Sequence, residues 1–264
     1  MPPIFRTSKT ARLLFNNADM SAILTDVQVV ATVPALKTTV LQNADETYIP
    51  GIRDGTVKYS GLFDGTAFST SAAAQLASTK ALDGKFMAAL QASTEPIITY
   101  GMDADAIGGR VRMFRQETVA YDAMSMASDV VKVAAAGQIS GRQDYGVWLL
   151  PLSARTSTSS TFANVDSGVV AGTTLGGVGH FHMTVATTVI TFRAKIQHSS
   201  AAASWADLIT FSSSTGTTSA GAVQRTTVSG TVKRYTRAII STYTGGGPKT
   251  ATVAVAFARR NRPV

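Results

Sequence analysis

In the last third of the chain, apolar and polar residues alternate one by one. Phe181, Met183 and Val185 alternate with His180, His182 and Thr184. Ile190, Phe192, Ala194 and Ile196 do the same with Thr191, Arg193, Lys195 and Gln197, and Val253, Val255 and Phe257 fall on one side of a final segment, residues 251–258. Successive side chains of a strand point to opposite faces, so a period of two gives each strand one dry and one wet face. That is the pattern of antiparallel sheets packed as a sandwich. Residues 228–240 predict a further strand.

The first half reads as strands at residues 12–15, 27–33, 56–60, 97–100, 110–114, 130–134 and 145–150, with one helical exception. Residues 71–92 are rich in Ala, Leu, Gln, Lys and Met, and Leu82, Phe86 and Leu90 recur every four residues, on one helical face. Asp83-Gly84 is a place where that helix could divide. Trp148 sits in an apolar strand and is expected in the core.

Charge separates the two halves. Residues 1–150 hold 13 Lys/Arg against 14 Asp/Glu, whereas residues 151–264 hold 11 against 2, Asp166 and Asp207. Between them Ser153-Ala154-Arg155-Thr156-Ser157-Thr158-Ser159-Ser160-Thr161 has no apolar periodicity, and a Gly-rich run continues to Gly179. The expected organisation is mainly β, with two β-sandwich domains: residues 1–152 with a helix near 71–92, a Ser/Thr/Gly-rich linker at 153–179, and a basic domain at 180–264. The ends of the two halves are weakly alike, so the second is either a duplicate of the first or an unrelated module.

Several chemistries find no support. With no cysteine there is neither a disulfide nor a thiolate site. No stretch supplies the roughly 18 apolar residues of a membrane span, nor the amino terminus a secretory core, so a soluble protein made in the cytoplasm, without membrane insertion, is expected. His180 and His182 share a strand face at metal-ligand spacing, but no carboxylate lies near them in sequence. They read as exposed strand histidines, and no metal or cofactor is expected. The glycines of residues 172–179 lack the lysine of a phosphate loop, and no Gly-x-Ser-x-Gly elbow occurs, so the chain does not read as an enzyme. Trp205, in a polar turn, is the best candidate for a ligand platform. Lys233, Arg234 and Arg237 surround Tyr235.

The most informative stretch is Tyr48-Ile49-Pro50-Gly51-Ile52-Arg53-Asp54-Gly55-Thr56-Val57-Lys58-Tyr59-Ser60-Gly61-Leu62-Phe63-Asp64-Gly65. Pro50-Gly51 and Asp54-Gly55 are turn chemistries; Val57, Tyr59 and Gly61 open a strand, and a helix follows. This order resembles the major tail protein (tail tube protein) family of long-tailed bacteriophages. Its members show an aromatic, a Pro-Gly, an Asp-Gly, a strand, and a Gly-aromatic-Asp-Gly-like exit before a helix. The likeness covers residues 9–151, with Pro96-Ile97-Ile98-Thr99-Tyr100-Gly101 in the place of the strand after the helix. The second half, from Lys195-Ile196-Gln197 through Ser204-Trp205-Ala206-Asp207-Leu208 to Lys233-Arg234-Tyr235, looks like a module attached to many such proteins.

The resemblance implies a structural subunit of the virion tail. Copies would form trimeric pseudo-hexameric or hexameric rings, stacked into a hollow tube through which DNA passes without specific binding. Three copies suffice if both halves are tube-like, which is the preferred expectation; six are needed if only the first is. Tail terminator, tape measure and baseplate proteins are the implied partners. A conduit should have a neutral or acidic lumen, since cations would hold the duplex. Glu46, Asp54, Asp103 and Asp105 are candidates for lumen or ring-contact positions, and Pro50, Gly51, Asp54 and Gly55 for an assembly turn. The rival reading is a carbohydrate- or receptor-binding β-sandwich protein of the virion, acting in decoration or adhesion through Trp205.

Overall fold

The computed structural model describes residues 10–33, 35–37, 48–50, 54–62, 82–102, 105–124, 131–157, 162–168, 175–186, 190–216, 221–245 and 250–260. In chain order these form β1 (Arg12–Phe15), β2 (Ala18–Asp19), β3 (Leu24–Thr32), β4 (Ala35–Lys37), β5 (Tyr48–Pro50), β6 (Asp54–Leu62), helix α1 (Leu82–Gln91), β7 (Ile97–Gly101), β8 (Arg110–Met124) and β9 (Lys132–Arg155). There follow β10 (Val165–Asp166), β11 (Gly177–Ala186), β12 (Ile190–Ser199), β13 (Ala206–Thr210), β14 (Ser214–Gly216), β15 (Ala222–Val228), β16 (Tyr235–Gly245) and β17 (Ala251–Arg259). The protein is mainly β, as the alternation implied, and every strand pair is antiparallel.

One ten-stranded sheet runs β15-β11-β17-β9-β8-β7-β1-β2, with β6 and then β3 added beside β9. A five-stranded sheet, β10-β16-β12-β13 with β14 against β12, covers one end of it. Leu149, Phe181, Phe192, Phe211 and Val255 belong to the core between the two sheets. At the other end Phe15, Tyr59 and Phe86 form a second core, their ring centroids 5.1–6.3 Å apart. A third core of Leu14, Val111, Met113, Trp148, Ala254 and Ala256 joins them. Trp148 is fully buried there, and Gly101 has to be glycine, because a Cβ would lie 2.6 Å from the Trp148 Nε1.

The sequence expectations need several corrections. β12 keeps the one-face alternation from Ile190 to Gln197, but β11 and β17 are buried on both faces. Ala254, Ala256 and Ala258 belong to the junction core, Val253, Val255 and Phe257 to the sandwich core. His180 and His182 are therefore fully buried, not exposed. Of the helix expected near 71–92, residues 71–81 lie outside the described residues; helix α1 buries Phe86 and Ala89, three apart, while Leu90, four after Phe86, faces solvent. Asp83 and Gly84 lie inside α1 without dividing it.

Asp54-Gly55 is not a turn: both residues are strand, at the start of β6. The site is closely packed: a Cβ there would press on Ile139 Cδ1 at 2.9 Å and on the Val30 carbonyl at 3.2 Å. At the edges of the expected linker, residues 153–155 pair with β17 and Gly177–Gly179 pair with β15 and β17.

Candidate assembly surface

Four strand segments, in the order β3, β6, residues 132–140 of β9 and residues 117–124 of β8, form a smaller sheet inside the large one. One face packs on Phe15, Tyr59 and Phe86. Because side chains alternate, the register fixes what the other face carries. Across it lie Val30, Thr56, Gln138 and Glu117; next Gln28, Lys58, Ala136 and Ala120; then Asp26, Ser60, Ala134 and Asp122; and Leu62 beside Lys132. These side chains are exposed or half-buried. Three carboxylates stand against two lysines, so the face is polar and close to neutral, with a slight acidic excess.

Among the described residues both borders of this sheet are open in strand terms. Among the described residues β3 has β6 as its one strand partner, and residues 117–124 of β8 have only β9. One edge carbonyl, that of Val29, accepts a hydrogen bond from Arg112 Nη1 at 3.0 Å. Each border also shows an apolar side chain to solvent, Val30 at 39% and Val119 at 57% exposure; Val119 is the extra residue of a bulge between Thr118 and Ala120.

Of the residues singled out from sequence, Asp54 lies at the rim of this face. It is opposite Thr32, accepting from the Gly55 amide at 2.7 Å and from Gln138 Nε2. Pro50 closes β5, which pairs with β4 in a separate two-stranded ribbon. Glu46, Gly51 and Asp103 lie outside the described residues. Asp105 is bound to Arg12, whose other partner is Asp19 at 2.5 Å. Burial of that guanidinium opposes its charge, and the two carboxylates outweigh the burial and raise its pKa. Asp105 thus ties its loop to β1. Trp205 lies far along the chain, in the five-stranded sheet's β12–β13 connection.

Two buried polar groups were not foreseen. Thr99 Oγ1 lies 2.9 Å from His180 Nδ1 and 2.8 Å from His182 Nε2. The Asn16 carbonyl can only accept, so His182 Nδ1, 2.6 Å away, carries the proton. Its Nε2 then accepts from the Thr99 hydroxyl, which in turn accepts from His180 Nδ1. Burial holds both imidazoles neutral. His182 is lowered to about 4, and His180 lies well below the usual histidine range, helped by His182 and by Arg225 across the strand pair.

The other group centres on Asp144, 1% exposed, which meets Arg260 at 3.2 Å, Arg225 at 3.1 Å and Arg142 at 3.4 Å. Both groups stitch the first half to the second. The sequence signal for the first was present in the His-x-His spacing on an apolar strand, read with the wrong face outward. For the second there was none, since its members lie up to 118 positions apart in the numbering, from Arg142 to Arg260.

No group of His, Asp and Glu suited to a metal ion occurs among the described residues, and no helix there is long and apolar enough to cross a membrane.

No protein-family model and no curated protein matches the chain. Solved tail structures do. A chain in the virion of a native gene transfer agent particle is 11% identical, with a TM-score of 0.40 over 53% of this chain and 98% of that one. The SPP1 phage Dit protein, a hub adsorption protein, is 11% identical, with a TM-score of 0.36 over 94% of this chain and 98% of its own. The SPP1 tail tube is 7% identical, with a TM-score of 0.38 over 53% of this chain and 77% of that one.

Proposed function

We propose that the chain is a structural subunit of a phage tail, assembling into rings that stack as a tube for DNA, with the β3-β6-β9-β8 face turned to the channel. The observation that carries this reading is the near-neutral polar face bordered by two open strand edges. An edge exposes unpaired N–H and C=O groups and invites a further strand. Where the β3 border of one copy meets the β8 border of the next, the contact is heterologous, and such contacts close into rings when the rotation allows. Closure would leave the sheet without free edges. Lysines and arginines facing a duplex release its counterions and hold it. Two lysines offset by Asp26, Glu117 and Asp122, with Asp54 at the rim, would let it slide.

The second half suits the outside of such a tube. Its five-stranded sheet turns Arg193, Lys195 and Arg237 outward, with Asp207 beside them on the neighbouring β13, a face that would retain DNA. That favours six copies per ring over three. Tail terminator, tape measure and baseplate proteins remain the partners this role requires, and the reading has no place for catalysis.

The test is negative-stain microscopy of the purified protein with light scattering. Rings or tubes with a central channel are expected. The pair Val30→Lys and Val119→Lys, which charges both borders, should raise the concentration needed for assembly at least tenfold, a loss of about 1.4 kcal/mol per contact, with an unchanged circular dichroism spectrum. A protein that stays monomeric at high concentration, alone and beside its tail partners, sinks the proposal.

A further inference from the structure

The outer face of the five-stranded sheet carries a second, different surface. Asp207 on β13, Gln197 on β12 and Arg237 on β16 stand in one cross-strand row. Gln197 Nε2 donates to Asp207 Oδ1 at 2.8 Å, and Gln197 Oε1 accepts from Arg237 Nε and Nη2 at 3.1 and 2.9 Å. Lys195 Nζ donates to the other Asp207 oxygen at 2.6 Å. Arg237 also lays its guanidinium 4.1 Å from the centroid of Trp205. An amide, a carboxylate, an ammonium and a guanidinium on the sheet and an indole on its β12–β13 connection are thus held together, Asp207 exposed and the others half-buried.

We infer that this row is a binding site for an acidic saccharide. The occupant follows from the composition of the row. Trp205, braced on one side by Arg237, offers the rest of its indole as a flat apolar surface, which suits the C–H face of a sugar ring. Sugar hydroxyls both donate and accept, and the row supplies both: the Asp207 carboxylate, with acceptor capacity left beyond Lys195 and Gln197, and Lys195 and Arg237 as donors. Arg193, Lys195 and Arg237 exceed the single carboxylate Asp207, and Arg193 donates to the neutral Ser213 hydroxyl at 3.1 Å. Asp166, the second half's other carboxylate, is engaged by Arg234 at the far edge of the sheet. The surplus of cations calls for an anionic ligand.

A nucleic acid fits less well. It would place phosphates against Asp207, and a duplex keeps its bases from the single indole. Three strands span about 10 Å, a width that matches a short saccharide.

The site belongs to the single subunit, so its test does not depend on ring formation. The full-length protein is applied to an array of uronate-, sialyl-, sulfate- and phosphate-bearing glycans beside neutral ones, and bound glycans are then titrated by tryptophan fluorescence. Saturable binding to one acidic class is expected, weakening at about 0.5 M salt as screening shortens. Trp205→Ala and Arg237→Gln should each weaken it at least tenfold, about 1.4 kcal/mol, with an unchanged circular dichroism spectrum. Trp205→Phe should keep most of it. An array with no acidic glycan bound overturns the inference, as does binding that survives Trp205→Ala or duplex DNA bound more tightly than any glycan.

Discussion

The fully buried hydroxyl of Thr99 between two imidazoles is the most demanding arrangement in the molecule at the level of single residues. Replacing it with valine keeps the shape but strands His180 Nδ1 and His182 Nε2 away from water. Each unsatisfied buried group costs about 1–3 kcal/mol. Thr99→Val should therefore lower unfolding stability by roughly 2–4 kcal/mol, read from urea midpoints, while Thr99→Ser should lose far less.

The same pair makes stability depend on pH. In the unfolded chain histidine titrates near 6.5; in the folded protein His182 does so at about 4 and His180 well below its usual range. Above 6.5 both states are neutral and the stability is fully present. As pH falls from 6.5 toward 4 the unfolded chain takes up protons that the folded one refuses, and stability drops by up to about 1.4 kcal/mol per unit for each histidine. Comparing wild type with the His180→Gln/His182→Gln double variant between pH 7 and 5 isolates this effect. Identical slopes would show that the histidines do not carry it. Nothing in the alternation could reveal the pair, because a histidine on the polar side of a strand looks the same whether that side meets water or a second core.

At the scale of elements, β9 decides the architecture. It is 24 residues long, yet the strands expected at 130–134 and 145–150 cover only parts of it, and its last residues read as linker. The middle, Ala134-Ala135-Ala136-Gly137-Gln138, has low strand propensity; its conformation comes from β6 and β8 pairing on either side. Gly137 fits because a Cβ there would come within 2.8 Å of Gln116. Halfway along, the register with β8 slips between Met113 and Arg115, and Gly141 sits at φ +71 with open space around it. There β9 leaves the channel-facing sheet of the proposed tube and turns toward β17. A side chain at that position meets no clash, so the cost is the left-handed backbone alone. Gly141→Val should destabilise by about 1–2 kcal/mol and Gly141→Asn by clearly less, since asparagine tolerates that region. Equal losses for the two would point to packing instead. The helix was legible for the opposite reason: Ala, Leu, Lys and Met prefer helix on their own, and only the choice of buried face depended on the sheet beneath.

At the scale of the whole molecule, the change in composition near residue 151 and the continuity of the sheet point in different directions. The compositional break is real, with acidic residues almost absent beyond it, and it follows a difference in surroundings: a near-neutral face in the first half, a cationic one in the second. The backbone does not break there. β9 carries on into β17, Asn16 and Thr99 bind histidines of β11, and Asp144 binds Arg225 and Arg260. A core shared in this way should couple the halves, so heating or urea should unfold the chain in one transition reported alike by fluorescence and circular dichroism. Asp144 tests the coupling directly. Three arginines depend on its buried carboxylate, and removing one partner of such a cluster leaves uncompensated buried charge, at about 3–5 kcal/mol. Asp144→Asn should either lower the single midpoint by that amount or split the transition, the two halves melting apart. A wild-type protein that already melts in two steps, with Asp144→Asn leaving both unmoved, would mean that the halves are independent domains joined by a strand, and that the compositional break was the truer guide.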